Sequence, residues 1–295
     1  MTGSVRWEDD VRSPKGGDLV RRHRLSTRIW HWTNAVALLV LLMSGLMIFN
    51  AHPRLYWGEY GANPDPAWLE IGSRGDQGFL RVGKVEVPTT GVLGRWRDAN
   101  GVTRSRAFGV TRSRAFPHWA TIPSHYSLAD GRLWHLAFAW ILALSLALYM
   151  LWSLVNGHVG RDLHVRREQW SPRHIWHDLK DHARLRFPTG AAALDYNVLQ
   201  KLSYVTVIFV LLPLMIATGL TMSPNLNAGL RWLLDLFGGR QSARSIHFIC
   251  AGGLVAFFIV HIAMVFAAGP IREIRSIVTG WYRLPEDRAQ ESDAP

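Results

Sequence analysis

Ser245–Ala268 reads SIHFICAGGLVAFFIVHIAMVFAA, twenty-four residues with no Asp, Glu, Lys or Arg and with histidines at positions 247 and 261. About 20 predominantly apolar residues suffice to cross the roughly 30 Å of a bilayer core, so this stretch is expected as a membrane helix over 246–268. Fourteen residues of α-helix rise about 21 Å and make nearly four turns, which brings both imidazoles to within roughly 40° of one face. An ionisable side chain inside a membrane helix is costly and calls for a compensating partner. Two on one face suit two flat cofactors held at two depths.

Three further stretches pass the same test, 30–50, 133–155 and 203–222. The chain has 295 residues, 48% of them hydrophobic, and the apolar residues are gathered into these runs. Among its 14 tryptophans, Trp30, Trp32, Trp134 and Trp152 sit at segment edges, as in an aromatic belt at the headgroups. The expected fold is therefore an all-α integral membrane protein, a four-transmembrane-helix bundle with a long outer loop and short interfacial helices. The first 29 residues are charged, and the run that follows is longer than the apolar part of a cleaved signal.

Orientation follows from Lys and Arg near the helix ends. Arg21, Arg22, Arg24 and Arg28 precede the first segment; Arg161, Arg166, Arg167, Arg173, Lys180, Arg184, Arg186 and Lys201 lie between the second and third; Arg272, Arg275 and Arg283 follow the fourth. The expectation is a multi-pass membrane protein with both termini cytoplasmic, and the family resemblance given below implies the bacterial inner membrane. It divides into a cytoplasmic basic arm 1–29, a membrane domain 30–282 and a tail 283–295, with a periplasmic loop 52–132 and a cytoplasmic loop 156–201. The net charge of +11 is largely juxtamembrane, where it attracts anionic lipid rather than nucleic acid. The single Cys250 excludes an internal disulfide and a cysteine-held iron–sulfur cluster.

Histidine is left to hold any redox centre. His31 and His135 stand near the starts of the first and second segments. Alternating helix direction sets His135 and His247 at the outer level, and His31 and His261 at the inner level. That pairing is the ligand set of two bis-histidine haems, each imidazole giving one nitrogen to iron while the other seeks a hydrogen-bond acceptor. Gly252 and Gly253 between the two ligands of the last segment leave room for a porphyrin, and close helix packing would equally use them. Arg28, Arg132 and Arg244, with Arg24 and Arg240, are candidates for haem propionates, and interfacial snorkelling accounts for any one of them as well.

The periplasmic loop holds strand-like pieces around Leu80–Val87 and an adjacent duplication, GVTRSRAF at both Gly101–Phe108 and Gly109–Phe116. Surface loops accept such insertions cheaply. Pro213 implies a kink in the third segment. Leu226–Phe237 reads as an amphipathic helix on the outer surface and Pro270–Tyr282 as one on the inner surface. His174, His177 and His182 with Asp178 and Asp181 (HIWHDLKDH) fit a solvated juxtamembrane helix better than a metal site, and His118 and His125 fit ordinary loop positions, with shielding of the outer haem or contact with a partner as the alternative.

RIWHW at Arg28–Trp32, GRLWHLAFAW at Gly131–Trp140, YNVLQKLSY at Tyr196–Tyr204 and the spacing of His247 and His261 together resemble the four-helix di-haem cytochrome b family. This is the bacterial cytochrome b561 type that includes the membrane subunits of formate dehydrogenase, NiFe-hydrogenase and thiosulfate reductase. Asp235–Phe248 and Pro117–Leu128 look most like the thiosulfate reductase branch. The resemblance implies two haem b groups on His31, His135, His247 and His261. It implies electron transfer between the quinone pool and a periplasmic oxidoreductase of the molybdopterin type. It also implies a quinone contact at Asn197 with Gln200 and Lys201 adjacent, although Asn197 suits a helix cap equally well. The chain is then an electron-transfer subunit rather than a complete enzyme. A self-contained quinone oxidoreductase acting on a small oxidant, and a haem-free transporter using the histidines as relays, are the alternatives.

Overall fold

The computed structural model describes residues 17–62, 64–94, 115–155, 198–223 and 229–285, together with 176, 180, 184 and 226. The four apolar runs are helices: α1 (Leu25–Phe49), α2 (Leu128–Val155), α3 (Val198–Met222) and, after the short α4 (Arg231–Leu236), α5 (Arg240–Ala268). Only 6% of the most apolar part of α5 and 17% of that of α2 is buried within the protein. Leu148, Leu151, Phe258, Ile259 and Phe266 lie exposed on these two helices. A helix apolar all round yet uncovered by protein needs hydrocarbon around it. The chain is a multi-pass membrane protein.

The helices begin earlier than hydropathy implies. α5 starts six residues before position 246, because Gln241, Ser242, Arg244 and Ser245 continue the helix through the polar layer. α3 is helical from Val198, the first described residue of that stretch, five residues before position 203. Within α3, Val207–Leu211 is π-helical just before Pro213. Proline supplies no N–H and crowds the carbonyl four residues back, and a widened turn accommodates both defects. The expected inner helix ends at Thr279 (α6, Pro270–Thr279) instead of Tyr282. Gly280 at φ 89° gives the left-handed residue that stops it.

The described residues fall into two compact units. One lies within Met1–Trp32, Tyr149–Phe209 and Leu254–Pro295. It holds an antiparallel pair that hydropathy does not announce, β1 (Leu19–Arg21) against β6 (Trp281–Arg283), in the register Val20 to Tyr282. The pair ties the N-terminal arm to the segment after α6. Arg22 lies over the Tyr282 ring and pairs with Glu273 at 3.5 Å, while Tyr282 and Leu284 are buried.

The other unit lies within Thr33–Leu148 and Val210–Gly253. Here the connection between α1 and α2 forms a four-stranded antiparallel sheet in the order β2 (Arg54–Leu55), β3 (Leu69–Arg74), β4 (Gln77–Val82), β5 (Val85–Pro88). Two-residue loops close both hairpins, each beginning with a positive-φ glycine, Gly75 at 55° and Gly83 at 57°. Leu55, Leu69 and Ile71 pack with Phe49 from α1 and against Phe248 from α5. Glu70, buried in the sheet, is held by Arg54 at 2.6 Å and by Arg81. The sheet and its flanking loop are fastened to the first turns of α5. Trp68 Nε1 donates to Ser245 Oγ at 2.9 Å, Ser245 Oγ donates to the Tyr56 carbonyl at 2.5 Å, and Gly58 N donates to Ser242 Oγ at 2.7 Å. Gly239 admits this approach, since a Cβ there would stand 2.7 Å from Glu59 Cα.

Candidate functional site

Each unit contains one histidine pair. In the first, His31 of α1 and His261 of α5 face each other with ring centroids 6.4 Å apart. His261 stacks on Phe257 at 5.8 Å, and His31 meets Trp32 edge-on at 5.3 Å. Trp30, next to His31 in the chain, stacks on Tyr149 at 4.3 Å. His31 Nδ1 is buried without a hydrogen-bond partner. In the second unit, His135 of α2 and His247 of α5 stand 6.2 Å apart. Here the rings are engaged: His135 Nδ1 lies 3.0 Å from Ser44 Oγ and His247 Nδ1 2.9 Å from Thr218 Oγ1.

The four sequence-predicted histidines are thus brought together as two pairs with the expected membership. Two metal–imidazole bonds of about 2.0 Å, added to donor nitrogens about 1.1 Å from their ring centres, separate two centroids by about 6 Å. Both pairs have that separation. Each pair presents two imidazoles as its donor set. A Cβ on Gly45 would stand 3.3 Å from His135 Cε1, and one on Gly252 would meet nothing within 4 Å. The residues fit a bis-histidine haem. Among the described residues no group of three or more His, Cys, Asp or Glu is placed to hold a bare metal ion.

The arginine candidates divide. Arg28 donates to the Val278 carbonyl, and its buried Nε has no partner. Arg244 donates to the His52 carbonyl at 2.5 Å and covers Phe49. Arg132 is exposed. Arg240 donates to the Met222 carbonyl at 3.2 Å. Gln200 is half-buried in the first turn of α3. Asn197 lies outside the described residues, as do His174, His177, His182, Asp178, Asp181 and most of the duplicated octamer. His125 is exposed, 3.5 Å from Asp130, and His118 opens a short 3₁₀ turn before α2.

Ser44 and Thr218 are the site residues that sequence reasoning passed over. A hydroxyl in a membrane helix ordinarily bonds its own backbone, so neither stands out alone. The signal was their shared context, Ser44-Gly45-Leu46 on α1 and Thr218-Gly219-Leu220 on α3. His52, beyond the end of α1, is also partly buried, its Nε2 without a partner. Burial first, then the Arg244 and Arg54 cations, push its pKa down, with Glu70 opposing.

Four membrane helices carrying two facing histidine pairs define a membrane cytochrome. Residues 22–280 match the family model described as prokaryotic cytochrome b561, and the chain belongs to that family. Membership implies b-type haem. A putative protein-methionine-sulfoxide reductase subunit, YedZ1, of Azospira oryzae is 30% identical over 138 residues, covering 47% of this chain and 66% of that protein. Probable Ni/Fe-hydrogenase B-type cytochrome subunits of Azotobacter vinelandii and Azotobacter chroococcum are 24% and 23% identical over 177 residues, 56% of this chain and 73% of each relative. No solved structure is significantly similar to the chain.

Proposed function

We propose that this chain is a two-haem electron-transfer subunit that connects the quinone pool of the bacterial inner membrane to a periplasmic oxidoreductase. His31 with His261, and His135 with His247, would hold one b haem each. The observation that carries this reading is the occurrence of two facing pairs, at 6.4 and 6.2 Å, one in each unit. Bound b haem supplies reversible one-electron chemistry. The chain would supply the four imidazoles, the rings of Phe257 and Trp32 that pack on His261 and His31, and Arg28 and Arg244 as the residues to pair with propionates.

The quinone would bind at the start of α3, by Asn197 and Gln200. The juxtamembrane arginines support cytoplasmic termini. With that orientation the sheet of β2 to β5, fastened on the first turns of α5, faces the periplasm and offers a surface for the partner. The names of the relatives, subunits of a reductase and of hydrogenases, support a redox enzyme in that place, and we assign it to the molybdopterin class. The experiment is to add a quinol analogue to the purified chain in proteoliposomes and follow b-type absorption. Reduction by quinol, slowed at least tenfold in Asn197→Ala or Gln200→Ala, is expected; haem that responds to dithionite but not to quinol would contradict the quinone assignment.

A further inference from the structure

Helices α1 and α3 each carry a hydroxyl residue followed by glycine and leucine, and each of these short patterns meets one histidine of the same pair. Ser44 Oγ lies 2.7 Å from the Val40 carbonyl and 3.0 Å from His135 Nδ1. Thr218 Oγ1 lies 2.6 Å from the Leu214 carbonyl and 2.9 Å from His247 Nδ1. A carbonyl oxygen can only accept, so each hydroxyl donates its hydrogen to the carbonyl four residues back. The hydroxyl oxygen then presents a lone pair to the imidazole, and Nδ1–H donates to it.

A neutral imidazole protonated at Nδ1 keeps its free lone pair on Nε2. The glycines complete the arrangement. A Cβ on Gly45 would stand 3.3 Å from His135 Cε1 and one on Gly219 3.6 Å from His247 Cε1, so each helix backbone comes right up to the ring edge between the two nitrogens. The pair formed by His31 and His261 is built differently, since His31 Nδ1 has no hydrogen-bond partner.

We propose that Ser44-Gly45 and Thr218-Gly219 are matched clamps that hold His135 and His247 as Nδ1–H tautomers and present both Nε2 atoms for axial ligation. The proposal rests on the b-haem reading of this pair. Ser44 and Thr218 are positioning residues, acting through the histidines. A hydrogen bond from the outer nitrogen makes an imidazole a stronger donor to its metal, which favours the oxidised state. The clamps therefore lower the potential of one haem and leave the other alone.

Redox titration of purified protein tests this. Ser44→Ala and Thr218→Ala are expected to raise the midpoint of one and the same haem, with the second midpoint in place, while Ser44→Thr and Thr218→Ser keep wild-type values. Loss of that one haem in both alanine variants, with retention in the conservative ones, also supports the clamps. Full haem content with both midpoints unmoved, a different haem moved by each variant, or loss of both haems would overturn the proposal. Wild-type protein without haem would overturn the b-haem reading instead. In that event ¹⁵N spectra of labelled histidine still read the tautomer: Nδ1–H at His135 and His247, lost in the alanine variants, is expected, and Nε2–H at both would refute the clamps.

Discussion

His31 and His261, at opposite ends of the chain, face each other with ring centroids 6.4 Å apart, the distance at which two imidazoles can share one metal. The pairing makes the effect of each histidine specific. His31→Ala and His261→Ala should each remove the same haem, and His135→Ala and His247→Ala the other. Each single variant then retains one b-type centre, and the double variant His31→Ala/His261→Ala is no worse than either single. Haem extraction and low-temperature spectra of the four variants check the grouping; losses grouped by helix, His247 with His261, would refute it.

The two clamp glycines should differ in tolerance. A methyl at Gly45 would stand 3.3 Å from His135, tighter than ordinary contact, whereas one at Gly219 would stand at 3.6 Å from His247. Overpacking of this kind costs about 1–3 kcal/mol. Gly45→Ala is therefore expected to weaken haem retention, and Gly219→Ala to leave it near wild type. Haem loss to apomyoglobin, followed by absorbance, measures the order.

The sheet of β2 to β5 depends on Glu70, whose buried carboxylate joins Arg54 and Arg81. Removing one partner of a buried pair costs 3–5 kcal/mol, but these guanidinia are about a third exposed, so Glu70→Ala should destabilise the sheet by about 2 kcal/mol. Hydrogen exchange in β3 and β4 should accelerate, while that in α2 and α5 stays put.

The pairing of β1 with β6 should be sensitive to acid. His23, beside it, has its pKa pushed down to about 4, first by burial and then by the Arg22 cation, with His31 and Arg28 contributing. A detached arm regains the ordinary value of 6.5, so it takes up a proton more readily than the docked arm does. Docking is then at full strength above pH 6.5, weakens as pH falls from 6.5 toward 4, and weakens no further below that. Proteolysis of the arm should rise across this interval in the wild type and much less in His23→Gln.

What was legible in the sequence was what has a period or a run. The apolar stretches located four helices, and the spacing of His247 and His261 pointed to one helix contributing to two histidine pairs. Features built from long-range pairing were not legible. Leu19–Arg21 lies in a charged arm and becomes a strand only because Trp281–Arg283 meets it. Leu69–Arg74 hides among loop residues, since its buried glutamate breaks the alternation that marks a strand. The polar first turns of α5 read as loop because their partners, the Tyr56 carbonyl, Gly58 and Trp68, come from a distant segment. Ser44 and Thr218 acquire meaning only when the facing histidines are in place.

The most direct test of two facing ligand pairs is a reduced-minus-oxidised visible spectrum with haem quantified per chain on detergent-purified protein. The account requires two b-type haems, both low-spin as two imidazole ligands dictate, and both lost when one histidine of each pair is replaced. One haem per chain would leave a pair of histidines without a role, and a colourless protein would contradict the account outright.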